Sequence, residues 1–186
     1  MTDEERIQVM LDKQEITECI IRLSRGLDRH DVELARSAFH EDGRDDHAMF
    51  IGSGHESIDW ANTMHDALLR GHLHYLSNFS IEVDGDEAHC ESYVMVLGAS
   101  KDGWDHNMGG GRYIDRLERR DGRWAITDHV VTFEWWSIPE MMETVAGLTH
   151  PFSQDRSDIS YTRPLRAARE PRDPSKMMKQ AEPDPA

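Results

Sequence analysis

The stretch His72 to Leu97, HLHYLSNFSIEVDGDEAHCESYVMVL, reads as two β-strands folded back on each other. Val83-Asp84-Gly85-Asp86 supplies the turn, because Asp-Gly accepts the positive φ that a tight hairpin needs. Before the turn, strict alternation sets Leu73, Tyr75, Phe79, Ile81 and Val83 on one face and His74, Leu76 and Asn78 on the other. His74 and Asn78 then look the same way beside Leu76, as the wall of a mixed polar and apolar pocket would.

Toward the N-terminus, Thr2-Asp3-Glu4-Glu5 places cap-forming and acidic residues where a helix start favours them. Ile16, Ile20, Leu23 and Leu27 continue as one apolar stripe, and Asp28 follows the stripe by a single residue. Asp31 caps a second, short helix ending near Phe39-His40. Gly43 with Asp42, Asp45 and Asp46 reads as irregular chain, Asp46 to Ile51 as a short strand, and Glu56 to Leu69 as a third helix. Ile58, Ala61, Met64 or His65, and Leu68 are spaced for one face of that helix.

Toward the C-terminus, Gly98 to Gly111 reads as a glycine-rich polar loop holding Trp104 and His106. Arg112 to Arg120 and Arg123 to Trp136 then flank Asp121-Gly122 as a second hairpin. In its last strand Ala125, Thr127, His129, Val131, Phe133 and Trp135 alternate with Trp124, Ile126, Asp128, Val130, Thr132 and Trp136. Both faces are apolar, so the sheet needs helices on one side and a subunit or an enclosed cavity on the other.

Composition narrows the function classes. A chain of 186 residues suits one domain plus a tail. The net charge of -15, from 36 acidic against 21 basic residues, disfavours nucleic acid and anionic membrane surfaces as partners. Cys19 and Cys90 show no CxxC spacing, and no apolar run reaches signal or membrane length. A reducing, cytoplasmic setting is the expectation.

Three helices followed by a long meander make an α+β chain, and four motifs give it a familiar look. They are Gly26-Leu27-Asp28-Arg29, Leu73-His74-Tyr75, Val83-Asp84-Gly85-Asp86, and Gly110-Gly111-Arg112-Tyr113 leading to Glu118-Arg119-Arg120-Asp121-Gly122-Arg123-Trp124. With these the chain resembles, from about Glu4 to Trp136, the SnoaL-like branch of the NTF2-like superfamily. That branch is the cone-shaped α+β barrel of scytalone dehydratase, bile acid dehydratase and hexachlorocyclohexane dehydrochlorinase.

The resemblance implies N-terminal helices on a curved, mainly antiparallel sheet enclosing a pocket, with residues 1–145 as the domain. Residues 146–186 would be an extension whose last part, rich in Pro and charge, is expected to be disordered. It further implies a homo-oligomer, trimer or dimer, and a dyad of Asp28 and His74. A carboxylate on one imidazole nitrogen fixes the tautomer and strengthens the other as a base near neutral pH.

The implied activity is a cofactor-independent lyase of the dehydratase type, acting on an aromatic or polycyclic small molecule. Loss of formaldehyde is a variant, because lignin-dimer lyases occur in this branch. A ketosteroid-type isomerase and a non-catalytic small-molecule-binding module are the alternatives. Asp46, His47, Asn78 and His129 are candidates for contacting the substrate, with Trp60, Tyr93 and Tyr113 as aromatic lining or ordinary core. His72 and His74 point together and with Asp46 or Asp28 could make a facial metal site. No further ligand falls at a diagnostic spacing, so no metal is expected.

Overall fold

The computed structural model describes residues 1–101 and 106–137. Along them run α1 (Asp3–Arg29), α2 (Val32–Arg36), β1 (Phe39–Asp46), β2 (Ile51–Ser53), α3 (Gly54–Leu68), β3 (Leu69–Asp84), β4 (Glu87–Ser100), β5 (His106–Arg120) and β6 (Arg123–Trp136). Trp104, the proposed domain boundary at 145 and the extension 146–186 lie outside the described residues.

Helix α1 starts on a capping box, in which the Thr2 hydroxyl accepts from the Glu5 amide and the Glu5 carboxylate accepts from the Thr2 amide. Its buried stripe is the expected one, Ile16, Ile20, Leu23 and Leu27, joined by Cys19. Asp12 also lies on the buried side, where it accepts from Arg119 Nη1 at 2.7 Å and Trp124 Nε1 at 3.1 Å. Those two bonds tie the helix to the far hairpin and satisfy a carboxylate that would otherwise be costly to bury. His30, in the left-handed region at φ 51°, ends the helix. The chain then folds back so closely that a Cβ at Gly26 would lie 2.5 Å from the Ala35 amide.

The strands form one six-stranded sheet in the order β2-β1-β6-β5-β4-β3. Among the described residues it is open from β2 to β3 rather than closed into a barrel, and it is mixed, because β1 runs parallel to β6 while the other pairings are antiparallel. Phe39 to Asp46, read from sequence as the end of a helix and irregular chain, is therefore a strand. Its conformation comes from its partner, with Phe39 opposite Ile126 and Asp45 opposite His129. The glycine-rich segment is likewise mostly strand. Gly109 and Gly110 pair with Trp136 and Trp135, and a side chain at either would collide with the indoles.

Both hairpin turns are where the sequence places them. Asp121 and Gly122 both have positive φ, the pattern of a type I′ turn, whereas only Gly85 does in the β3–β4 turn. Strict alternation fails, however, in both β3 and β6. The β3–β4 register shifts between Ser77 and Ser80, with Asn78 at φ 50°, so this bulge turns the strand over. Phe79, Ile81 and Val83 consequently join the core side already occupied by His72, His74 and Leu76, while Leu73 and Tyr75 are exposed. In β6 the register shifts again at Thr127. Trp124, Ile126, Val131 and Phe133 thus belong to one core cluster although they differ in parity.

The helices cover that core side. On the outward side Leu73 pairs with Leu97, Tyr75 with Met95, and Leu97 with Met108. There Leu73, Tyr75, Tyr93, Met95, Met108 and Trp135 are exposed. No helix among the described residues is long and apolar enough to cross a membrane.

Candidate active site

Asp28 sits in the last turn of α1 and His74 in β3, and the two meet. His74 Nδ1 lies 2.6 Å from Asp28 Oδ1, and the His74 amide donates to both carboxylate oxygens, at 3.0 and 3.2 Å. Their side chains are 5 % (His74) and 12 % (Asp28) exposed, so the pair is shielded yet not sealed. Burial alone would raise the Asp28 pKa; the hydrogen bond and charge of His74 outweigh it, and the carboxyl is held below its ordinary value. An ionised carboxylate can only accept, so Nδ1 is the ring nitrogen that donates to Asp28 and Nε2 is the one turned away from it.

Around this pair the structure gathers further imidazoles. His72 Nε2 donates to the Leu27 carbonyl at 3.2 Å, and its ring lies 3.9 Å from His65 and 5.8 Å from His74, centroid to centroid. His65 comes from α3 and is buried, with its Nδ1 unbonded. Burial, followed by the charges of His72 and His74, pushes its pKa down to about 3. His65 was visible in the sequence only as one option for the helix's apolar face.

A second group lies on the other strands. His129, on β6, faces Asp115 directly across the β5–β6 ladder, with Nδ1 2.5 Å from Asp115 Oδ1, and faces Asp45 across the β1–β6 ladder. Asp45 in turn lies 3.5 Å from His47 Nδ1. The His47 ring is 5.5 Å from Trp60, 5.9 Å from Phe133 and 6.1 Å from His129. Trp60 stacks on Phe50, and Tyr113 meets the His129 ring edge-on at 4.6 Å. The Tyr113 phenol is pushed up by burial and by the charges of Asp115, Asp45 and Asp28. It therefore lies within electrostatic reach of both groups.

Asp28, His74, His47, Trp60, Tyr113 and His129 are thus placed around one interior. Asp46, Asn78 and Tyr93 are placed elsewhere. Asp46 is buried but one residue out of phase with Asp45, and accepts from the Ala48 amide. Asn78 is exposed at the bulge, and Tyr93 points outward at 46 % exposure. Asp45 and Asp115, not singled out from sequence, take the places nearest the second group. Asp45 had a usable signal, since residues i and i+2 of a strand share a face and Asp45-x-His47 fits that spacing.

Among the described residues two sets could hold a metal, each with ligand atoms within 4.8 Å of one another: Asp28, His72 and His74, and Asp45, His47 and His129. A groove of about 380 Å³ bordered by Gln14, Glu18, Arg22 and Arg123 lies apart from both.

The chain belongs to the SnoaL-like domain family, whose profile matches residues 8–129. It is similar in structure to a protein of unknown function with a cystatin-like fold from Nostoc punctiforme, at 30 % identity and TM-score 0.60, covering 70 % of this chain and 96 % of that one. A candidate scytalone dehydratase from Novosphingobium aromaticivorans matches at 22 % identity and TM-score 0.62, covering 69 % and 87 %. A hexachlorocyclohexane dehydrochlorinase of type 3 from Novosphingobium barchaimii matches at 20 % and 0.63, covering 73 % and 93 %. The last two likenesses show the shared fold alone; the family match and the Nostoc protein make it an α+β cone of NTF2-like type. A search of curated proteins finds no match to the chain.

Proposed function

We propose that the protein is a lyase that eliminates water, or formaldehyde, from an aromatic or polycyclic small molecule. The observation that carries this reading is the contact of 2.6 Å between His74 Nδ1 and a shielded Asp28 carboxylate. It fixes the imidazole with Nε2 as a base, and a dehydratase and a dehydrochlorinase are among the similar structures.

In the elimination, Nε2 takes a proton from the carbon next to the leaving group. The electron pair forms the new double bond as the C–O bond breaks. The imidazolium is stabilised by Asp28, and the proton returns to the departing hydroxyl to release water. In the formaldehyde variant a benzylic hydroxyl leaves first. Nε2 then takes the proton of a terminal CH2OH, whose C–C bond electrons form the alkene as formaldehyde departs, and that proton passes to the departed hydroxide to give water. Neither route asks the dyad for an organic cofactor. The partly exposed His47 and Trp60 are the proposed substrate contacts, with the buried His129 beside the His47 ring and Tyr113 beside His129.

The outward apolar face supports a homo-oligomer, dimer or trimer, and the two free, buried thiols of Cys19 and Cys90 suit a reducing cytoplasm. The function is tested by incubating the full chain with arylpropane diols, dihydroxyaryl compounds and hydroxysteroids, following alkene absorbance and formaldehyde release. New conjugation with an aryl diol is the expected result. Double-bond migration in a steroid without loss of mass would instead make the protein an isomerase. Binding with no turnover of any of them would make it a carrier.

A further inference from the structure

The dyad leaves the second group unexplained, and that group has the composition of a metal site. We propose that Asp45, His47 and His129 bind one divalent first-row transition metal ion, with Asp115 orienting His129 from behind.

Four observations carry this. His129 Nδ1 is taken up by Asp115 at 2.5 Å, which leaves Nε2 as the ring nitrogen free for a ligand. A carboxylate behind a histidine in this way fixes its tautomer and raises the basicity of the nitrogen that meets a metal. Asp45 is 5 % exposed, and its Oδ1 makes no hydrogen bond, with His47 Nδ1 3.5 Å away. Ligands at about 2.1 Å from a tetrahedral ion stand roughly 3.4 Å apart, so that pair already has the required spacing. The third ligand atom lies within 4.8 Å of the other two, so it need close by no more than about 1.4 Å. Finally, the strand ladders set Asp45, His129 and Asp115 in one cross-strand row, so the backbone holds them in line.

The other triad lacks these features. Both oxygens of Asp28 already accept from His74, and His72 Nε2 donates to a carbonyl. Two imidazoles among three ligands favour Zn2+, Fe2+ or Co2+ over Mg2+ or Ca2+, which take oxygen. This revises the metal-free expectation for one wall of the interior and leaves the dyad as it is. Holding a leaving oxygen would be a role that rests on the elimination reading; occupancy itself does not.

The test uses the full chain, stripped with chelator, then titrated with Co2+ by visible absorption and with Zn2+ by calorimetry. One saturable ion per chain is expected. Asp45→Asn and His47→Ala should each weaken it at least about tenfold, Asp115→Asn by about 10–100-fold, and Asp28→Asn by less than about twofold. His47 is partly exposed, so its removal leaves a folded chain, verified by circular dichroism. Absence of saturable binding overturns the proposal. So does binding that survives both Asp45→Asn and His47→Ala, which would place the ion on surface histidines, or binding that Asp28→Asn removes. Because the readout is occupancy, the proposal and the elimination reading can fail separately.

Discussion

The interior holds two Asp–His groups built in different ways. Asp28 and His74 are 46 residues apart and meet because a helix ends against a strand, and every oxygen of that carboxylate is used. Asp45, His129 and Asp115 lie on three neighbouring strands, and there Asp45 Oδ1 and Asp115 Oδ2 are buried without a hydrogen bond. A carboxylate whose oxygens all serve one histidine fixes a base. A carboxylate with an oxygen left over can still take a ligand. The first group is also reachable, with Asp28 12 % exposed, whereas Asp115 and His129 are sealed at 0 % and 2 %.

This contrast can be broken experimentally. The largest effect is expected at the dyad. His74→Ala or Asp28→Asn should lower kcat for any diol that the wild type turns over by about 10²–10⁴-fold, with ligand affinity little changed. Equal turnover in the variants would remove the dyad from the chemistry. Next comes stability. Asp115→Asn leaves a buried imidazole without its ionic partner and should cost about 3–5 kcal/mol in denaturant unfolding. Asp28→Asn, which keeps an acceptor and some solvent, should cost clearly less. If both cost the same, the two groups do not differ as described.

Acid provides a finer probe. His65, with its pKa pushed down to about 3, refuses a proton that the unfolded chain takes up near pH 6.5. Between those two values the unfolded state binds more protons, so stability rises with pH and is lost on acidification. His72 is shifted down as well and adds in the same direction. Asp28 and Asp45 have depressed values, so their contribution is present above the ordinary carboxylate range and disappears as pH falls through the folded values. His129, shifted up, acts oppositely, contributing below its unfolded value and less as pH rises through the folded one. His65→Leu should therefore flatten the pH dependence of unfolding by up to one proton, about 1.4 kcal/mol per pH unit. An unchanged slope would mean that His65 is not buried in neutral form.

The smallest effect is expected at the bulge. Asn78→Gly removes the cost of a side chain at φ 50° and should stabilise by up to about 1 kcal/mol, read as a shift in melting temperature. A loss of stability would show that the Asn78 side chain does more than turn the strand.

The same bulges explain what was readable beforehand. Asp28 and His74 could be found because each closes or opens a regular element, one at the end of an apolar helical stripe and one on a strand. Counting back from the Asp121-Gly122 turn, by contrast, puts Asp115 opposite Asp128. Only the extra residue at Thr127 moves His129 into that place. Alternation places Asn78 on the pocket wall, but the chain abandons that alternation at Asn78 itself. Asp45 went unnoticed because the segment around it has weak strand character of its own and becomes a strand by pairing with β6.

Local chemistry written into the sequence determined the helices, the two hairpin turns, the family and the partners of the dyad, because caps, periodicity and Asp-Gly turns act over a few residues. Tertiary structure decided where strands change face, that the sheet stays open, and that Asp45 rather than Asp46 joins His47 and His129. Those outcomes depend on the register between strands far apart in the chain, and one inserted residue reverses every side chain beyond it.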